Sequence, residues 1–208
     1  VTEEQEAAKT RIAAIVLAAG GSERMGQPKL LLPVGDQPMV RRVVRTVLTA
    51  GLHRVIVVVG SGADAVRRAL AGLPIEIVEN RDWSMGLSTS LRLGLRTLGP
   101  SDEAALVVLA DQPGLTSELI LALVRSFHAS GAAIVAPSTG GRRGNPVLFG
   151  SGLFPELLAV EGDAGAREVI ARHRSAMHLV EVDDAALLQD VDTMEDYDSL
   201  RESYDRAP

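Results

Sequence analysis

Between Ala14 and Gly35 the chain reads AIVLAAGGSERMGQPKLLLPVG, an apolar run that breaks into glycines and carries two cations, Arg24 and Lys29. Successive backbone N–H groups in a glycine-rich turn can converge on an anion, because glycine tolerates positive φ and lets the backbone approach closely. Arg24 and Lys29 would add positive charge to such a nest, so the chemistry on offer is phosphate binding. The commoner phosphate motifs do not fit. In a Walker A loop, G-x-x-x-x-G-K-[ST], the lysine directly follows the second glycine. Gly21 and Gly26 have that separation, but Gln27 and Pro28 intervene before Lys29, and Leu30 takes the hydroxyl position. Gly20 to Gly26 does not match G-x-G-x-x-G either. A plain strand-to-helix turn would explain the glycines but not the cations. The choice of lysine is informative, since Lys9 and Lys29 are the only lysines among 21 basic residues, and lysine and arginine are not interchangeable at a phosphate site.

Two acidic features could complete such a site. Asp111 ends the apolar run Leu106 to Ala110. A carboxylate at the tip of a buried strand is costly to desolvate unless it meets a cation or donors. Mg²⁺ is usually held by one or two carboxylates plus substrate phosphates, which suits Asp111; shaping the turn before Thr116 is the alternative. Late in the chain, LLQDVDTMEDYDSL places five acidic residues in a short span. Thr193 reads there as a helix N-cap, and most of these charges are expected to face solvent. His53, His128, His173 and His178 show no H-E-x-x-H or H-x-x-E-H spacing, so a zinc site is not expected. Trp83 could stack on a ligand ring or pack under a loop. Arg142 and Arg143, set among glycines, read as an anion site or a solvated pair. Asp163 and Arg167 have the i,i+4 spacing of a local ion pair.

The elements that must position these residues alternate. Ile12 to Leu17, Val55 to Val59, Ile75 to Val78, Leu106 to Ala110 and Ala133 to Ala136 read as short buried strands. Pro38 to Ala50, Ala63 to Ala71, Leu87 to Leu98 and Thr116 to Ala129 carry apolar residues at helical spacing. Strands apolar throughout and separated by helices imply an α/β fold with a mostly parallel sheet covered on both faces. The rhythm then breaks. Gly140 to Phe149 reads as a turn and strand, Leu153 to Val160 and Ala166 to His173 as helices, Met177 to Val182 as a strand and Met194 to Tyr204 as a closing helix. Ligands of open α/β sheets bind beyond the carboxyl ends of the strands, where the glycine loop, Glu79 to Ser90 and Asp111 to Gly114 all fall.

The 208 residues suit one domain with a substantial core. A net charge of -6 argues against electrostatically driven nucleic-acid binding. The absence of cysteine excludes disulfides and thiolate metal sites. No apolar run approaches the roughly 20 residues of a membrane span, and the polar, acidic first ten residues do not resemble a secretory signal. The expectation is a cytoplasmic location.

LAAGGSERMGQPK, with LADQP after a later strand and DVDT near the end, resembles the MobA-like nucleotidyltransferases. Within that group the chain looks most like the molybdenum cofactor cytidylyltransferases. VENRDWSMGLSTSLRLGL, GRRGNPVLF and EGDAGAR also resemble segments of the family, in the same order, so the likeness covers nearly the whole chain. The resemblance implies a three-layer, Rossmann-like α/β fold of the nucleotide-diphospho-sugar transferase type, with residues 1–208 as one domain and 1–10 as a disordered tail. It implies that Leu17, Ala18, Ala19, Gly20, Gly21 and Ser22 wrap the nucleotide, that Arg24 and Lys29 clamp its triphosphate, and that Gly86 and Ser90 contact base or ribose. Asp111 and Asp192 match the acidic ligands for Mg²⁺ or Mn²⁺; Arg24, Lys29 and Asp111 carry the catalysis. Arg143, Gly144 and Asn145 match the acceptor loop. LAAG is the form associated with CTP, and LAGG with guanylyltransferases, so Ala19 supports cytidine.

The implied reaction is metal-dependent transfer of CMP from CTP to a molybdopterin-type cofactor with release of pyrophosphate, with a molybdoenzyme or its chaperone as a further partner. Such in-line displacement rests on positioning and charge neutralisation and needs no protein nucleophile. Three alternatives stay open: a sugar or alditol phosphate acceptor, an oxidoreductase of the nicotine-blue type, and a non-catalytic cofactor carrier.

Overall fold

The computed structural model describes residues 11–22 and 25–205; the expected tail and Arg24 lie outside the described residues. Strand β1 (Ile12–Ala18) is buried at every position. Its sequence, IAAIVLA, has no polar side chain to place. Ile12, Ala14, Val16 and Ala18 enter one hydrophobic cluster, and Ala13, Ile15 and Leu17 enter another on the opposite face. That period of two is what a strand covered on both sides requires. After the glycine loop come a small hairpin of β2 (Pro33–Val34) and β3 (Gln37–Pro38), then α1 (Met39–Thr49), β4 (Arg54–Val59), α2 (Ala63–Ala69), β5 (Glu76–Glu79) and α3 (Leu87–Leu95). The chain continues through β6 (Ala104–Leu109), α4 (Ser117–Ser130), β7 (Ile134–Thr139), β8 (Arg142–Arg143) and β9 (Val147–Gly150). It closes with α5 (Phe154–Leu158), α6 (Arg167–Arg172), β10 (Met177–Glu181) and α7 (Met194–Asp205).

The sheet runs β10-β7-β9-β6-β1-β4-β5, with β8 paired to β7. Strands β6, β1, β4 and β5 are mutually parallel, as are β10 and β7. Strand β9 lies antiparallel between β6 and β7. Residues of α1, α2, α4 and α7 pack on one face, and residues of α3, α5 and α6 on the other. This is a three-layer α/β fold with a mostly parallel sheet, as expected. The insertion of β9 was not readable from its composition, because VLF suits either strand direction.

Growth of the sheet reverses at β1: β4 and β5 add on one side, β6 on the other. Such a reversal opens a crevice beyond the carboxyl ends of the two strands, and the glycine loop and Asp111 both follow those ends. Strand β5 lies at an edge and is only half-buried, one residue later than its apolar pattern predicted. Its outer glutamates meet arginines: Glu76 takes two hydrogen bonds of 2.9 Å from Arg54, and Glu79 takes one of 2.6 Å from Arg67.

Two outcomes follow from this packing. An added Cβ at Gly94 of α3 would collide with Ile15 Cγ2 and lie 3.3 Å from Val58 Cγ2. Gly94→Ala is expected to destabilise the fold by about 1–3 kcal/mol, read from the urea midpoint. The second concerns pH. Hydrogen bonds from Arg54 hold the Glu76 carboxyl below its ordinary value. A group depressed in the folded state adds stability above its unfolded pKa and loses it as pH falls through the folded one. Glu76→Gln should therefore cost about 0.5 kcal/mol at pH 7, with the difference from wild type vanishing on acidification below the carboxylate range.

Candidate active site

The loop after β1 is held by its backbone. Ala19 is buried, its carbonyl accepts from Ser61 N at 3.0 Å, and Gly60 approaches so closely that a Cβ there would lie 2.7 Å from Trp83 Cβ and 2.8 Å from Ala19 Cβ. Trp83 thus backs the loop with its Cβ. Gly20 and Gly21 are exposed, and a Cβ on Gly20 would meet nothing within 4 Å. The backbone turns at Ser22 (φ 55°) and Gly26 (φ 63°), where the left-handed conformation favours glycine or a small polar residue. Ser22 Oγ accepts from Lys29 N at 3.2 Å, which ties the two ends of the loop. A cavity of about 70 Å³ lies beside Gly20, Gly21 and Ser22 against Ser61 and Val66.

Lys29 is the centre of the site. Its Nζ donates to Asp111 Oδ2 at 2.7 Å, to Val191 O at 2.9 Å and to Asp192 Oδ1 at 3.0 Å. Only 13% of its side chain is exposed, against 22% for Asp111 and 45% for Asp192. Burial opposes the charge on Lys29, but Asp111 and then Asp192 outweigh it and hold the ammonium above its ordinary value. Asp192 reaches this point because its segment is sewn to the loop after β6. Val191 N donates to Asp111 O at 2.9 Å, and Gln112 Nε2 donates to Leu188 O at 3.0 Å and to Asp190 Oδ1 at 2.7 Å. Burial, reinforced by Asp111, pushes the Asp190 carboxyl up.

Thr193 caps α7 as expected, accepting from Asp196 N at 3.1 Å, while Asp196 Oδ2 accepts from Asp192 N and Thr193 N at 3.1 and 2.8 Å. This reciprocal cap and the 2.7 Å bond from Tyr197 Oη to Pro33 O anchor the segment. More of the acidic run is engaged than the sequence reading allowed: Asp190, Asp192 and Asp196 all have defined partners.

Asp111 and Asp192 supply hard oxygen donors to one point, now held by an ammonium, and a divalent cation suits that donor set. Among the described residues no group of three or more His, Cys, Asp or Glu is arranged for a metal. Two protein carboxylates would leave the remaining coordination to substrate phosphates, as Mg²⁺ commonly has it.

At the end of β8, Arg143 and then Asn145 line a cavity of about 120 Å³ together with Leu17, Leu109 and Arg167. Gly144 packs tightly instead: a Cβ would lie 2.7 Å from Leu188 Cδ1, and its N–H donates to Pro137 O at 2.8 Å. Leu17 points into this cavity and away from the glycine loop's own. Gly86 (φ 107°) lets the start of α3 approach Gly162, where a Cβ would lie 2.6 Å from the carbonyl carbon. Ser90 is buried and accepts from Asn80 Nδ2 at 2.9 Å. The expected Asp163–Arg167 ion pair does not form among the described residues, and Arg167 turns to the cavity. Sequence reasoning missed Arg167, Gln112, Asp190 and the Val191 carbonyl; only the adjacency of Gln112 to Asp111 and of Asp190 and Val191 to Asp192 offered a signal.

A model of the MobA-like NTP transferase domain matches residues 14–177. The chain belongs to that family. Among its MobA-like relatives it is 34% identical to nicotine blue oxidoreductase of Paenarthrobacter nicotinovorans, over 88% of this chain and 93% of that one. It is 31% identical to the purine catabolism protein PucB of Bacillus subtilis, over 90% and 94% of the two chains. Among solved structures, Rv0371c of Mycobacterium tuberculosis in complex with manganese superposes with a TM-score of 0.81 at 29% identity, covering 93% of this chain and all of that one.

The Lys29 cluster makes a stability prediction. Lys29→Met would leave two partly buried carboxylates facing each other and is expected to cost about 1–3 kcal/mol, less than a fully buried pair because Asp192 is half-exposed. Urea unfolding at pH 7 checks this, and Asp192→Asn should cost less than Asp111→Asn.

Proposed function

We propose that this chain is a divalent-metal-dependent nucleotidyltransferase that transfers CMP from CTP to a molybdopterin-type acceptor and releases pyrophosphate. The observation that carries the reading is the seating of Lys29 between Asp111 and Asp192 beside an open glycine loop at the sheet's switch point. An acceptor phosphate oxygen attacks the α-phosphorus, and the bond to the bridging oxygen of the β-phosphate breaks. The exposed N–H groups of the Gly20–Gly21 turn bind phosphate oxygens, and Lys29 turns from its carboxylates toward the charge growing on the leaving pyrophosphate. Asp111 and Asp192 hold the metal, which when bound neutralises the triphosphate and aligns its oxygens. Arg24 is the second cation of the clamp in this reading, and Ala19, through its resemblance to the LAAG form, supports cytidine. Arg143 and Asn145 face the acceptor. Among the described residues no helix is long and apolar enough to cross a membrane; a cytoplasmic site of action is part of the proposal.

The relative named as an oxidoreductase keeps a second reading in view, reduction of a dye-like substrate on the same fold. Pyrophosphate release separates the two. Wild-type protein should release pyrophosphate from CTP in the presence of Mg²⁺ or Mn²⁺ and acceptor, without oxidising NAD(P)H. Lys29→Ala and Asp111→Asn should each lower that rate by about 10²–10³; a near-normal rate in either removes the role given to that residue. In a thermal-shift series with CTP, GTP, ATP and UTP, stabilisation follows ligand concentration over Kd. The largest shift is expected with CTP, and a larger one with GTP would overturn the base assignment.

A further inference from the structure

Asp192 reaches Lys29 from a stretch of chain that no regular element holds. Gln189 to Thr193 lie between a single turn of 3₁₀ helix (Ala185–Leu188) and α7, and belong to no helix or strand. Neither a helical ladder nor a sheet therefore fixes their register. Backbone bonding does not fix it alone, since the bond from Val191 N to Asp111 O at 2.9 Å could be made by any residue with an N–H. What distinguishes the observed register is the side chain of Gln112, which is 1% exposed. Its Nε2 donates to Leu188 O at 3.0 Å and to Asp190 Oδ1 at 2.7 Å. Both amide hydrogens are thus used, on acceptors from alternate residues of the segment.

The position is demanding. A glutamine amide has two N–H donors and one carbonyl acceptor, and the buried Oε1 of Gln112 has no partner among the described residues. A buried acceptor left without a partner costs stability. Turning the amide over would be worse, because Oε1 would then face the Leu188 carbonyl and the Asp190 carboxylate. Few other side chains serve: asparagine is one methylene shorter, ionised glutamate brings acceptors alone, and methionine or leucine fills the volume with no N–H donor. The segment is confined from other sides as well. A Cβ at Gly114 would lie 2.5 Å from Ala186 O, and one at Gly144 2.7 Å from Leu188 Cδ1. A slip by one residue would put Val191 in place of Asp190 and Thr193 in place of Asp192. Gln112 would then lack an acceptor for its second hydrogen, and Lys29 would lose a carboxylate.

We propose that Gln112 is the positioning residue of the site, locking the register of residues 188–192 and so presenting the Asp192 carboxylate opposite Asp111. The inference rests on the reading that these two carboxylates hold a divalent metal. Gln112 acts through Asp192, not by contact with metal or substrate. Groups that hold a metal's ligands in place ordinarily change its affinity by about 10–100-fold when removed. Because Gln112 directly follows Asp111 in sequence, one residue ties together the two segments that carry the carboxylates.

Two measurements on the full chain test this: Mn²⁺ affinity by electron paramagnetic resonance, and amide exchange at Val191 in the metal-free protein, with the β1 amides as the control for the fold. Gln112→Met keeps the volume and removes the donors. It should weaken Mn²⁺ binding by about tenfold or more and speed exchange at Val191 while β1 stays protected. Asp190→Leu should do the same. Asp190 belongs to no helix, strand or hydrophobic cluster, so this variant carries the test if Gln112→Met does not fold. Asp190→Asn retains an acceptor oxygen and should keep most of the affinity. Unchanged Mn²⁺ affinity in Gln112→Met and Asp190→Leu, or lost affinity with Val191 protection intact, would overturn the proposal. So would equal losses in Asp190→Asn and Asp190→Leu, which would make Asp190 a direct ligand. Wild-type protein that binds no Mn²⁺, with Val191 exchange still dependent on Gln112, would support the register lock and overturn the metal reading instead.

Discussion

A single ammonium group, the Nζ of Lys29, is bonded to Asp111, to Asp192 and to the carbonyl of Val191, and these groups come from three distant parts of the chain. The glycine loop, the loop after β6 and the segment before α7 are thereby drawn to one point. Removing the cation would leave two carboxylates close together in a half-buried setting, where each raises the cost of the other's charge. The same constraint explains why the acidic segment near the C-terminus is held so thoroughly. Gln112, the backbone of Asp111, the Thr193–Asp196 cap and the Tyr197–Pro33 bond all fasten it.

One ammonium set against two carboxylates leaves this cluster with a net negative charge. In the function proposed above, these three side chains are those that a nucleotide and its metal would divide between them.

The sheet separates two cavities. On the face covered by α1, α2, α4 and α7 lie the glycine loop's small cavity and the core that supports Lys29. On the face covered by α3, α5 and α6 lies the cavity with Arg143 and Arg167. The two are connected around the ends of β1 and β6, where Leu17 turns to one and Gly20 to the other.

Much of this was legible in local pattern. Apolar runs and helical spacing located nearly every element, since burial on both faces imposes continuous apolarity on a strand and a 3.6-residue period on its covering helices. The glycine loop, Asp111 and the Thr193 cap were legible for the same reason, because local geometry restricts which residues can occupy a left-handed turn, a strand tip or a helix start. The packing of Gly86 against Gly162 and the burial of Ser90 against Asn80 were not legible there. Arg167 was paired by spacing with Asp163, yet its helix is turned so that the side chain meets Arg143 across the cavity.

By itself, then, the sequence determined the layered α/β fold, the family, and which residues are candidates for phosphate and metal binding, all of which rest on patterns a few residues long. Only the tertiary structure decided that Lys29 sits between Asp111 and Asp192, that β9 runs antiparallel within the sheet, and that Arg143 and Arg167 share one cavity. Those are juxtapositions across tens to more than a hundred residues, set by strand order and helix orientation, and no local pattern encodes them.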